Sequence, residues 1–333
     1  MNIGLTYDLR SEYLAMGYSK EETAEFDRDD TVSSIDTTLQ QLGFETERIG
    51  NVSALTRALH DGKRWDLVFN IAEGLYGYGR ESMIPCLLEH HRIPYTFSDP
   101  LVLAVCLHKE YAKRLLRSFG IPTPDFTLIN NAAEISATRM AYPLFAKPVA
   151  EGTSKGITKD SIIHSDEELN RTCSALLKTF RQPVLVETFL PGREFTVGVV
   201  GTGGKARCAG VMEVLYRKPE KEIAYSYENK ENYEQLIDYR LVDDPLARSA
   251  ADLALKIWRI LEGRDAGRID FREDSGGRMQ LIELNPMAGL HPTHSDLPIM
   301  WSLGGRSFKD LIGAIMDSVL ERIAGPAVTA PVR

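Results

Sequence analysis

What the chain lacks narrows it first. Its four cysteines, Cys86, Cys106, Cys173 and Cys208, are widely scattered over 333 residues and form no CxxC pair, so neither a zinc knuckle nor a disulfide framework is indicated. No apolar run approaches membrane-spanning length, and the opening MNIGLTYD enters a strand with no basic region before it; a cytoplasmic protein with no membrane partner is the expectation. Positive charge is not in excess: the formal net charge is -8 and the pI about 5.5, which argues against nucleic acid as main partner. There is no internal repeat and no low-complexity segment. What remains, 43% hydrophobic and 26% charged residues, is the composition of a globular chain long enough for two or three lobes.

The most informative stretch runs from Gly263 to Pro298. Two strand-like runs, GRIDFRED and RMQLIELN, flank Ser275-Gly276-Gly277 and read as a β-hairpin. A pivot between Gly276 and Gly277 sets Asp270 opposite Glu283, and Asn285, two residues on, shares the face. Three oxygen-bearing side chains then converge, a set suited to Mg²⁺ whose octahedron is completed by substrate phosphates. The alternative is a solvated hairpin with polar residues outward. Ile269, Phe271, Ile282 and Leu284 predict a packed opposite face, and the Asn-Pro-x-x-Gly tail turns more sharply than a plain hairpin needs.

In chain order, strands at Asn2 to Tyr7, Phe44 to Ile49 and Trp65 to Asn70 alternate with helices through Val32 to Leu39, capped by Asp29 or Asp30, and Val52 to Leu59. This predicts an open α/β lobe. Ligands of such lobes lie beyond the C-terminal strand ends, making Glu73 and Arg80, in the loop after the third strand, candidates at a site edge, although its glycines also suit a plain turn. Helices follow at Glu81 to His91 and, in one stretch carrying Lys109, at Leu101 to Phe119. The strand PLFAKPVA delivers Lys147 into a loop of small residues, Glu151-Gly152-Thr153-Ser154-Lys155-Gly156; such loops bring backbone N–H groups and lysine charge to phosphate, and are often only turns. Helix Asp166 to Thr179 leads into VLVETFLPGREFTVGVVG, where a hinge at Glu187 to Leu190 could bond an adenine edge and Glu194 a ribose. A tyrosine-rich polar loop, Ala224 to Glu231, has the character of a lid. A core helix opens at Asp244-Pro245, and an amphipathic helix from about Ser307 to Ile323 ends the chain.

Taken in order, FNIAEGLYGYGRE, SDP with Lys109, PLFAKPVAEGTSKGI, VLVETFLPGREFTVGV, GRIDFRED and IELNPMAGL resemble the D-alanine–D-alanine ligase family of ATP-grasp enzymes, from Ile3 to the last helix. The resemblance implies an α/β ATP-grasp fold with an N-terminal open α/β lobe over residues 1–100, a central subdomain over 101–188, a C-terminal subdomain over 189–325 and a tail at 326–333. It implies ATP-dependent joining of a carboxylate to an amine through an acyl phosphate. Lys109 and Lys147 would hold the nucleotide phosphates under the loop of Glu151, Gly152, Thr153 and Ser154. Glu187, Thr188, Leu190 and Glu194 would hold adenosine, and Lys230 would reach the γ-phosphate. Asp270, Glu283 and Asn285 would bind Mg²⁺, two ions, with Mn²⁺ as the alternative. Arg268 and the N–H of Gly289 would stabilise the oxyanion, and His294 or Ser295 would contact the second substrate's carboxylate. The expected partners are small amino-acid-like substrates, with a homodimer as an option.

The departures cluster around the substrates. The family's N-terminal Glu-His-Glu-Val-Ser-type motif is absent, with Glu25 nearest its first glutamate. Glu73 stands where the family has a histidine, Glu231 where it has a tyrosine, Thr153 keeps a hydroxyl, and HPTHSDLP is one residue longer. Three readings follow: a dipeptide-forming ligase, an ATP-grasp ligase with another kind of acceptor, and a non-catalytic nucleotide-binding module. The last is disfavoured because a dead module need not keep Lys147, Arg268, Asp270, Glu283 and Asn285.

Overall fold

The computed structural model describes residues 1–216 and 237–324. In chain order the elements are β1 (Asn2–Thr6), α1 (Arg10–Ala15), α2 (Asp29–Gln41), β2 (Glu45–Gly50), α3 (Val52–His60), β3 (Leu67–Asn70), α4 (Met83–His90), α5 (Pro100–Leu107), α6 (Lys109–Ser118), β4 (Phe126–Ile129), α7 (Ala132–Ile135), β5 (Leu144–Pro148), β6 (Ile162–Ile163), α8 (Asp166–Phe180), β7 (Val184–Thr188), β8 (Glu194–Val200), β9 (Arg207–Tyr216), β10 (Ile237–Leu241), α9 (Pro245–Ile260), β11 (Ala266–Glu273), β12 (Met279–Asn285), α10 (Asp296–Leu303) and α11 (Phe308–Ala324).

Among the described residues they form three sheets. The first is parallel, in the order β2-β1-β3. Alternation along β3 sends Leu67 and Phe69 into one core, shared with Val32, Ile35 and Leu39 of α2, and Val68 into another, shared with Leu55 of α3 and Leu88 of α4, as expected of a strand buried on both faces. The first of these cores also takes Leu311, Ile312 and Ile315, so α11, at the end of the chain, covers the first lobe. The second sheet is antiparallel, β4-β7-β5-β6, with α8 against it. The third, β10-β9-β8-β11-β12, carries α9 on one face.

Three local expectations are corrected. Neither Asp29 nor Asp30 caps α2: both lie in its first turn, and the capping position, Arg28, makes no side-chain capping bond. The helix expected from Leu101 to Phe119 is two helices. His108 adopts an extended backbone, its side chain caps α6, and Lys109 N–H leaves the helix to bond the carbonyl of Val149 at 3.0 Å. The hairpin pairs Asp270 with Glu283 as expected, but Phe271 faces Leu281. Ile282 is the bulged residue, so Leu281 takes the packed face and Ile282 turns to the cleft.

Candidate functional site

β5 and β7 form one wall of a narrow cleft and β8, β11 and β12 the other. The cleft, about 140 Å³, is lined by Lys147, Ser154, Glu187, Thr188, Leu190 and Glu194, among others. Apolar side chains, Phe145, Ile157, Phe189 and Ile282, supply much of its surface, which suits a flat ring with a few polar groups to orient it. Lys147 and Lys113 grip the buried carboxylate of Glu187 from either side, each at 2.8 Å. Burial pulls Glu187 up, but the two lysines overcome it and hold it below the ordinary carboxylate range. Lys113 also donates to the carbonyl of Leu281 at 2.8 Å, and burial pushes its pKa down to about 8. Glu194 accepts from Tyr216 at 2.8 Å and pairs with Arg272 at 3.3 Å.

Asp270, Glu283 and Asn285 lie together on the β11–β12 hairpin. Asp270 accepts from Thr196 at 3.0 Å, Asn285 at 3.2 Å and Arg268 at 3.0 Å. Glu283 pairs with Lys109 at 3.0 Å. Burial raises the Asp270 pKa to about 6, with Arg268 opposing and Glu283 adding to the rise. Two carboxylates and an amide oxygen are hard-oxygen donors, of the kind Mg²⁺ takes.

On the far side of this wall lies a second cavity of about 380 Å³, roofed by the first lobe. It contains Glu25, Glu73, Lys109, Glu151, Gly289, His294 and Ser295, all singled out in the sequence. Thr153, Arg268, Glu283, Asn285 and Asp296 line both cavities, so the two adjoin at these residues. The loop between them is tied on both sides. Glu151 pairs with Lys155 and accepts from Gln182 at 2.6 Å, Lys109 donates to its carbonyl, and the N–H of Gly152 donates to Glu25. A Cβ on Gly152 would lie 2.8 Å from that Glu25 oxygen. Thr153 and Ser154 both have positive φ, 49° and 57°, a left-handed pair that costs side-chain residues energy and recurs at sites that shape the backbone for a ligand.

Arg80, expected at the substrate, does not line the cavity. It is 7% exposed, holds both oxygens of Glu25 at 2.9 and 3.2 Å, and donates to the carbonyl of Ala150 at 2.9 Å. It ties the first lobe to the glycine-containing loop. Lys230 and the rest of the expected lid lie outside the described residues. Three wall residues escaped sequence reading. Asp27 and Glu81 line the cavity beside Glu73. Burial raises all three: Glu73 goes well above the ordinary range, with Glu81 and Glu25 adding to it, Glu81 rises to about 7, and Asp27 to about 8. The third, Asp296, pairs with Arg268; the extra residue in HPTHSDLP was its only signal.

This geometry has counterparts. A family model described as D-ala D-ala ligase C-terminus matches residues 115–317. A D-alanine–D-alanine ligase of Aquifex aeolicus is 34% identical over 280 residues, 84% of this chain and 90% of its own. One from Bordetella petrii is 32% identical over 267 residues, 79% and 78% of the two chains. Among solved structures, the Bacillus anthracis D-alanine–D-alanine ligase complexed with ATP superposes with a TM-score of 0.73 at 20% identity, covering 96% of this chain and 98% of its own. The VanG D-Ala:D-Ser ligase of Enterococcus faecalis gives 0.72 at 20% identity, covering 96% and 99%. With a cleft, an acidic pair and an adjoining cavity arranged on that fold, and relatives of this identity along most of its length, the chain belongs to the D-alanine–D-alanine ligase family of ATP-grasp enzymes, ATP-dependent ligases that form C–N bonds.

Proposed function

We propose that this ligase activates the carboxylate of one amino-acid-like substrate as an acyl phosphate and joins it to the amine of a second. The observation that carries this reading is the set of residues common to both cavities, Thr153, Arg268, Glu283, Asn285 and Asp296. A phosphoryl group delivered from the cleft meets a carboxylate in the second cavity there.

In this reading Glu187, Thr188, Leu190 and Glu194 hold the adenosine of ATP, and Lys109 and Lys147 face its phosphates under the loop from Glu151 to Ser154. Asp270, Glu283 and Asn285 would hold Mg²⁺, which when bound neutralises charge on the transferring phosphoryl group. Arg268 and the N–H of Gly289 face the carbon under attack, where donors count most in the transition state. Glu25, fixed by Arg80, receives the amine of the first substrate. His294 and Ser295 stand by the second.

The acidic wall supports a first substrate other than simple D-alanine. Glu73, Glu81 and Asp27 are each held toward neutrality by burial and by neighbouring carboxylates, Glu81 and Glu25 at Glu73, Glu25 and Glu283 at Glu81, and Asp8 and Asp30 at Asp27, and a cationic side chain among them would relieve that. Phosphate release measured over a panel of D- and L-amino acids, singly and in pairs, tests both statements. Release that requires ATP and an amino acid with a second amine is expected. No release with any pair refutes the ligase reading; release best with D-alanine alone refutes the cationic substrate.

A further inference from the structure

Resting on the ligase reading, we infer that Asp296 is the site that receives the attacking amine of the second substrate. Asp296 opens α10 and is 7% exposed. One carboxylate oxygen is held by Arg268. The other, Oδ1, is buried and, among the described residues, has no hydrogen-bond partner. A buried acceptor without a donor is costly, more so when charged, and such an atom is kept where a ligand completes it.

Its position says which group does so. Asp296 belongs to the few residues that line both cavities, and its neighbour Arg268 joins it to Asp270. Whatever bonds Oδ1 therefore sits within a residue's reach of the carbon being attacked. The acyl-phosphate group offers that carboxylate only oxygens, which repel it, and the first substrate's own amine is taken by Glu25. The second substrate offers an amine, a cationic donor before attack, and the amine must approach this carbon. Ser295, the preceding residue, has its hydroxyl engaged by the N–H of His291 at 2.9 Å, and a Cβ on Gly289 would lie 2.9 Å from that hydroxyl oxygen. The backbone ahead of α10 is thus pinned, and the spare oxygen is aimed by a fixed frame.

The competing role is a tether: Asp296 holds Arg268 and touches no substrate. The two roles separate by nucleophile. With the donor and acceptor pair identified by the panel, the wild type, Asp296→Asn and Asp296→Ser are assayed for ligation and, with the donor and hydroxylamine alone, for hydroxamate formation. Hydroxylamine is a small neutral nucleophile and needs no carboxylate to hold it. Both variants are expected to lose roughly ten- to a hundredfold in kcat/KM for the acceptor, mainly through KM, the scale of one hydrogen bond to a charged group. In Asp296→Asn, whose amide oxygen can still hold Arg268, hydroxamate formation should fall at least about tenfold less than ligation, and Asp296→Ser, which also gives up the Arg268 contact, should lose more in hydroxamate formation than Asp296→Asn. Equal losses for both nucleophiles in Asp296→Asn would mean a tether and overturn the inference, as would no loss in either. A wild-type enzyme that forms hydroxamate but ligates no amine would overturn the acceptor assignment while leaving carboxylate activation standing.

Discussion

Replacing Arg80 by methionine probes the tie between the first lobe and the loop over the site. The guanidinium is buried and bonds both oxygens of Glu25 and the carbonyl of Ala150. Arg80→Met strands a carboxylate among Glu73, Glu81 and a backbone carbonyl. Removing one partner of a buried pair costs about 3–5 kcal/mol; the N–H of Gly152 and the charge of Lys155 still favour Glu25, so about 3 kcal/mol is expected. The pH dependence has a definite sign. Burial pulls the Glu25 pKa up, but Arg80, then Lys155 and the Gly152 amide, bring it below 4.5. In the wild type this stabilisation is present above that ordinary value and is lost as pH falls through the lower folded one. Without Arg80, burial and the neighbouring carboxylates dominate, the folded value moves above 4.5, and Glu25 costs stability as pH rises past it. The deficit should be full near about pH 8 and shrink toward about pH 5. Unfolding of the ligand-free protein in urea at both pH values, with Glu25→Gln and the double variant, measures this. The double variant should recover at least about 1 kcal/mol of the summed losses. A deficit independent of pH, with additive single losses, would refute the reasoning.

Asp270→Asn and Glu283→Gln should each abolish amino-acid-dependent ADP formation with the unfolding transition intact; activity retained in both, with an unchanged Mg²⁺ dependence, would remove the metal assignment. Arg268→Ala should lower turnover by roughly a hundredfold, as for loss of one oxyanion donor, with nucleotide affinity, read by titration, nearly unchanged. Glu81→Gln should stabilise the ligand-free protein. Burial raises Glu81 to about 7, so the native carboxylate loses stability as pH rises from about 4.5 to about 7, and the gain in unfolding temperature should be larger at about pH 8 than at about pH 5. A gain equal at both would place the cost in packing instead.

Several features of the site were legible because they depend on local periodicity. The alternation of GRIDFRED and RMQLIELN with one turn between them set Asp270 opposite Glu283 and put Asn285 on the same face. The bulge at Ile282 was not legible. One extra residue leaves the apolar pattern continuous, and its effect, turning Ile282 into the cleft and Leu281 into the core, depends on what each face meets. Apolar spacing from Leu101 to Phe119 is likewise unbroken, while at the break by His108 the N–H of Lys109 bonds Val149, in the turn that follows β5. Arg80 looked like a site residue from its loop, and only the position of Glu25, 55 residues away, made it a tie.

By itself the sequence determined the elements, the order of the lobes and the run of lysines, carboxylates and small residues that place the chain in its family, because these follow from spacing along one strand, turn or loop. The tertiary structure decided which charges meet. Glu187 lies between Lys113 of α6 and Lys147 of β5, α11 packs against both the first lobe and the third sheet, and Asp296 comes against Arg268 with one oxygen left over. Contacts between groups far apart in sequence depend on how separate apolar faces find each other, and burial then sets the charge state of whatever those faces carry between them.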